Sequence, residues 1–301
     1  MANRKEDDFF AGIEQVDVWA AGNKSRLPLF YRDARACIAV FPAGLPALKR
    51  LLPDPRFTPA QVLPGIGAVA LACFEYRDTD VGPYNEFALG ILLNNPHIVP
   101  LPGYNILRQL AQFNFYPYIF RLPVTTEAAL RWGIDYSGFP KFLASIEFSD
   151  TGDWLGCELK EREELICRLK VRKIAAPMHR LIKFFIRLYQ FRQPQSTEFK
   201  MNARALGISL NPFDAELVIG SMHPVARELS RVMLMKKPLM CFFVPSAQLI
   251  LYGPENLSFP LVNYLFQQGM RIPLDRIREE PEKKERKALK EKKKEHKERK
   301  A

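Results

Sequence analysis

Between residues 141 and 174 the chain reads as three β segments in quick succession, "KFLASIEF", "DWLGCELKE" and "ELICRLKVRKI". The joints are short, "SDTGD" and "REE". Runs of β-type residues separated only by turn residues specify hairpins, and hairpins pair their strands antiparallel without crossover helices. Similar runs recur at 26–43 ("RLPLFYRDARACIAVFPA"), 66–76 ("IGAVALACFEY"), 87–93 ("FALGILL") and 238–253 ("PLMCFFVPSAQLILYG"). A further hairpin is expected around "RQPQST" within 184–210, where "FKMNARAL" alternates apolar and polar residues. Three helices are expected. One follows Gly44, with Leu45, Leu48, Leu51 and Leu52 on one face and Pro53 and Pro55 as stops. One runs from a Thr125 or Thr126 cap to Gly133 or Gly138, and one covers 223–234. Many hairpins and few helices predict an α+β chain, mainly antiparallel β, either a sheet closed on itself or a packed sandwich. Closure removes exposed strand edges.

No repeat and no Gly/Ser linker interrupts the body, so one domain is expected over 26–270, after an irregular lead-in at 1–25. The last segment, 271–301, reads as a charged tail, disordered or a solvated helix. Residues 282–301 hold 11 Lys/Arg against 5 Glu, more than half of the net charge of +11. Such a tail is either a solubilising extension or a weak electrostatic contact for acidic lipid or nucleic acid. It has no aromatic residue to stack on bases, which disfavours nucleic acid. There is no long apolar run to cross a membrane, and the start, "MANRKEDDFF", does not read as a signal peptide. Five scattered cysteines, with no C-x-x-C, predict reduced buried thiols in a cytoplasmic protein. The four histidines show no metal-binding spacing, and no metal is expected. Phosphate-loop, dinucleotide-fingerprint and G-x-S-x-G patterns are absent from the sequence.

Two stretches carry possible chemistry. In "DYSGFPKFLASIEF" (135–148), Lys141 stands between Phe139-Pro140 and Phe142-Leu143-Ala144. A lysine there is either a strand-start residue reaching solvent or an amine held in a dry pocket. In "DVGPYNEF" (80–87), Glu86 opens a hydrophobic strand. Tyr84 beside it, and Phe139 and Trp132 near Lys141, are pocket walls or core. His223, before Pro224, is a helix cap or packing residue sooner than a base.

Together these segments resemble the acetoacetate decarboxylase superfamily. "GPYNE", "WGIDYSGFPKFLASIEF", "LPALKRLLPDPRF" and "HPVARELSRVMLMKKPLMCFFVPSAQ" carry the resemblance, which touches segments from about residue 26 to 255. It implies a cone-like closed β-barrel with flanking helices, a homo-oligomer, no cofactor, a Schiff-base lysine at Lys141 and an active-site glutamate at Glu86. An ordinary lysine amine is almost all ammonium at neutral pH, and ammonium cannot attack a carbonyl. An apolar pocket or a second cation disfavours the charged form, and acetoacetate decarboxylase is itself a standing example. The chain also departs from the family. Phe142 replaces the usual second lysine, so a desolvating ring stands where a cation would. Leu71 stands where an ungapped reading puts a second glutamate. The family's substrate-carboxylate arginine corresponds, in an ungapped reading, to Lys24 or to the nearby Arg26.

The resemblance therefore implies a lyase that decarboxylates a β-keto acid through an iminium on Lys141. The alternatives are aldolase or dehydratase chemistry of a keto acid on the same lysine, or a barrel that only binds an apolar carbonyl ligand. Runs such as "LMCFFV" and "YIFRL" suggest room for a longer acyl or cyclic substrate.

Overall fold

The computed structural model describes residues 9–20, 23–190 and 193–256, all within one compact unit, Met1–Leu257. The expected basic tail, 271–301, and the domain end at residue 270 lie outside the described residues. The chain begins with a hairpin of β1 (Val16–Ala20) and β2 (Asn23–Leu27). It continues through β3 (Leu29–Gly44), α1 (Leu45–Leu51), β4 (Ile66–Thr79) and β5 (Tyr84–Leu92). Next come α2 (Tyr104–Gln112), β6 (Asn114–Phe115), β7 (Pro117–Val124), α3 (Glu127–Ser137) and β8 (Lys141–Leu143). A meander follows, of β9 (Ser145–Thr151), β10 (Trp154–Glu161) and β11 (Glu164–Arg172). The long hairpin of β12 (Met178–Gln190) and β13 (Gln193–Ser209) leads to β14 (Ala215–Ile219), α4 (Pro224–Val232), β15 (Met240–Leu251) and β16 (Glu255–Asn256).

The chain is thus α+β with mostly antiparallel strands, and the principal strands close into a ring. β3 pairs with β4, β4 with β5, β5 with β7, β12 with β13, β13 with β15, and β15 with β3, all antiparallel. A parallel contact at Tyr118 and Arg187 joins β7 to β12 and completes the circuit. A second sheet, ordered β14-β11-β10-β9, covers part of the outside. β3, β4 and β5 are therefore buried on both faces. Ala36, Ile38 and Val40 look into the ring, while Cys37, Ala39 and Phe41 pack outward with Leu155, Cys157 and Leu169. Burial on two faces explains why these strands read as continuous apolar runs instead of alternating ones.

Two expectations are corrected. The lead-in is not wholly irregular, since 16–20 and 23–27 pair as strands; "QVDVWA" already alternates at period two. α2 was not anticipated at all. Its fully buried residues are Asn105 and Gln109, its Ile106 and Leu110 line the interior of the ring, and Leu107 is 65% exposed. All five cysteines are free and buried.

Candidate active site

The GFPK corner is built by the end of α3. Thr126 caps its start by accepting a hydrogen bond from the Ala129 N–H. The helix stops at Gly138, whose φ of +66° is left-handed, and Gly133 O accepts from the N–H of both Gly138 and Phe139. This glycine-terminated turn satisfies the last carbonyls and reverses the chain. Pro140 O then accepts from the Leu122 N–H, and β8 lies parallel to β7 with Lys141 opposite Leu122. Alternation along β8 sends Lys141 into the ring and Phe142 to the outer core.

On β5 the same alternation points Glu86, Ala88, Gly90 and Leu92 inward. Lys141 Nζ donates to Glu86 Oε2 at 2.8 Å, and Tyr76 Oη donates to Glu86 Oε1 at 3.1 Å. The side chains of Lys141 and Glu86 are only 6% and 10% exposed. Tyr31 and Tyr84 share a hydroxyl hydrogen bond of 3.2 Å. The ammonium nitrogen stands 5.5 Å from the Tyr84 ring centroid and 5.9 Å from that of Phe139. Burial pushes the hydroxyls of Tyr31, Tyr76 and Tyr84 well above the ordinary phenol range, and the Glu86 charge pushes in the same direction. The three phenols therefore stay protonated donors around one ion pair.

Beyond this cluster lies a cavity of about 170 Å³ inside the ring. Its polar lining residues are Tyr31, Tyr76, Glu86, Lys141 and Gln109; the rest are apolar. Among the described residues no Arg, His or second Lys lines it. Nor does any cluster of His, Cys, Asp and Glu suit a metal ion.

Of the residues named from sequence, the structure brings Lys141, Glu86, Tyr84 and Phe139 together. It does not bring Phe142 or Arg26 to them. Arg26 is 62% exposed and faces Asp17 at 3.8 Å. Lys24 sits in β2 opposite Trp19, with its side chain outside the described residues. Leu71 faces the outer core, so the ungapped glutamate position is not a cavity position. His223 caps α4 through Nδ1 and meets Glu161 through Nε2. Tyr31, Tyr76 and Gly133 were missed. The signal for Tyr76 lay in hairpin register, because β4 pairs Phe74 with Glu86 and Tyr76 with Tyr84. Gly133 matters because a Cβ there would overlap Lys141 Cδ and Cε.

Comparison with known proteins gives a family and a fold. Residues 19–183 match the family model described as acetoacetate decarboxylase (ADC). The sequence matches none of the curated proteins. A solved acetoacetate decarboxylase superposes with a TM-score of 0.54 at 15% identity, covering 76% of this chain and 89% of its own. The acetoacetate decarboxylase of Legionella pneumophila gives 0.55 at 14% identity, with 76% and 87% covered. The enduracididine biosynthesis enzyme MppR, bound to a condensation product of pyruvate and imidazole 4-carboxaldehyde, gives 0.53 at 11%, with 76% and 89% covered. At these identities the likeness is one of fold. No helix among the described residues is long and apolar enough to cross a membrane.

Proposed function

The chain belongs to the acetoacetate decarboxylase family, and from that premise we propose that it is a lyase whose Lys141 forms a Schiff base with a carbonyl substrate. The observation that carries the proposal is the 2.8 Å contact of Lys141 Nζ with Glu86, both nearly buried, at the polar end of an apolar cavity.

In this reading Glu86 takes a proton from the ammonium, and the neutral amine adds to the keto carbon. The carbinolamine loses its oxygen as water, with Glu86 returning the proton, and an iminium results. With a β-keto acid, the bond to the carboxylate breaks, carbon dioxide leaves, and the electron pair moves to the iminium nitrogen as an enamine. Protonation at carbon and addition of water release the ketone and the amine. Tyr76 holds Glu86 by its second oxygen, so the carboxylate keeps one face toward Lys141. Desolvation of the β-carboxylate in an apolar cavity favours its loss.

A second reading keeps the Schiff base without decarboxylation, as aldol or dehydration chemistry, or keeps the binding alone. It is favoured by the lining, which offers a substrate carboxylate no arginine among the described residues. MppR, of the same fold, holds a pyruvate condensation product.

Borohydride reduction in the presence of acetoacetate, pyruvate and longer keto acids, followed by peptide mass mapping, tests the proposal. We expect a substrate-sized adduct on Lys141, lost in Lys141→Ala, and carbon dioxide release from a β-keto acid. An adduct without carbon dioxide selects the second reading. No adduct on a folded protein removes the Schiff base.

A further inference from the structure

We infer that the carbonyl compound taken by Lys141 carries an uncharged hydrocarbon chain at least as bulky as benzene, lying lengthwise inside the ring. The reactive end of this inference rests on the proposed function, and the chain end rests on the cavity alone.

The two ends of the cavity are chemically different. Lys141, Glu86, Tyr76 and Tyr31 stand at one end, where β4 finishes and β5 starts. Val62, Ile106 and Leu110 stand at the other, where β5 finishes and α2 lines the cavity. From Glu86 to Leu92 is six residues of strand, or about 20 Å. Small residues line the way between. Ala72 pairs with Ala88 and Ala70 with Gly90, and Ala68 continues the strip. A Cβ on Gly90 would come within 3.1 Å of Ile119 Cδ1, so even a methyl group tightens the channel there. Facing walls are supplied by Phe115, Phe184 and Phe242.

The distal half offers nothing to a polar ligand. Among the described residues its single polar residue is Gln109. Gln109 Nε2 donates to Leu93 O and Asn105 Oδ1, and its Oε1 accepts from the Tyr116 N–H, so its hydrogen bonding is already used within the protein. The charge on Lys141 is matched by Glu86. A carboxylate placed at the α2 end would be buried with no counter-charge, which is strongly unfavourable. A hydrocarbon meets no such penalty. An apolar cavity of about 150 Å³ stays dry and takes up benzene, and this one measures about 170 Å³.

The probes are butanal, octanal and suberic semialdehyde, which has an eight-carbon chain like octanal's but ends in a carboxylate. Each condenses with the Lys141 amine, its oxygen leaving as water. Borohydride then delivers hydride to the iminium carbon and fixes a secondary amine, read at Lys141 by peptide mass. The extra buried methylenes of octanal lower its half-trapping concentration about a hundredfold against butanal. The semialdehyde gains nothing over butanal. Ala70→Leu in the channel and Ile106→Trp at its far end each shrink the octanal-to-butanal ratio. Equal trapping of butanal and octanal overturns the inference. So does a semialdehyde as effective as octanal, or a ratio that both folded variants leave unchanged. If no aldehyde is trapped at all, the Schiff base has failed and the cavity is judged by itself. Calorimetric binding of octanol to Lys141→Met, weakened by adding Ala70→Leu, then sustains the chain site, and absence of binding removes it.

Discussion

Lys141 owes its position to two glycines that do different work. Gly138 supplies the left-handed residue that ends α3 and turns the chain toward β8. Gly133, one turn earlier on the buried face, leaves the space through which the lysine stem passes. Alanine is a better helix residue than glycine by about 0.5–1 kcal/mol, so Gly133→Ala does not weaken α3 as a helix. Its Cβ would instead occupy the volume of Lys141 Cδ and Cε and force the amine off Glu86. Displacement of a reacting group by about 1 Å costs on the order of a hundredfold in rate. We expect Gly133→Ala to slow adduct formation at Lys141 by about that factor while the thermal midpoint stays near that of the parent. Unchanged trapping kinetics would show that the lysine reaches the cavity by another path. The 2.8 Å pair itself is no evidence of stability, because burying two charges costs about as much as their attraction returns.

At the scale of elements, α2 is the most informative because polar side chains anchor it while its Ile106 and Leu110 line the interior of the ring. Asn105 and Gln109 are buried and bonded to backbone groups of Leu93, Asn95 and Tyr116, and so tie the helix to the strands beside it. Gln109→Leu would strand the Leu93 carbonyl and the Tyr116 N–H, each unpaired buried group costing about 1–3 kcal/mol. Leu107→Gln on the exposed side should stay within about 0.5 kcal/mol of the parent. Urea midpoints of the two variants decide the matter; a larger loss at Leu107 would mean that the helix packs by its other face. The same element marks where sequence reading stops. The meander of β9 to β11, the long hairpin and the ends of α3 were legible because turn residues and caps are local. α2 was not anticipated, because its inward side mixes the polar Asn105 and Gln109 with the apolar Ile106 and Leu110. At the candidate site, the nearness of Lys141 to Glu86 was legible through the family resemblance that "GFPK" and "GPYNE" carry. Tyr76, Tyr31 and Gly133 were not, because strand register and helix packing bring them there from separate segments. Strand alternation sends Phe142, next to Lys141, and Leu71, between Ala70 and Ala72, to the outer core.

For the whole molecule, the ring encloses three buried phenols beside one carboxylate, and this couples folding to alkaline pH. The hydroxyls of Tyr31, Tyr76 and Tyr84 are held above their ordinary value of 10.0, first by burial and then by Glu86. Above about pH 10 the unfolded chain releases these protons and the folded chain keeps them, so the unfolded state binds fewer and stability falls as pH rises. Below the ordinary value both states are protonated and the contribution is fully present. Each such phenol steepens the fall by up to about 1.4 kcal/mol per pH unit. Tyr84→Phe removes one of them together with the 3.2 Å bond to Tyr31. It leaves the buried Tyr31 hydroxyl without that partner, so it should cost about 1–3 kcal/mol at neutral pH and yet lose stability less steeply in base than the parent. Denaturant titrations across the alkaline range measure both slopes. Parallel slopes would mean that Tyr84 releases its proton without unfolding, and that the ring admits water and hydroxide to the carboxylate end of the cavity. The same water would then reach Lys141, and the dry pocket that Schiff-base chemistry requires would be lost with it.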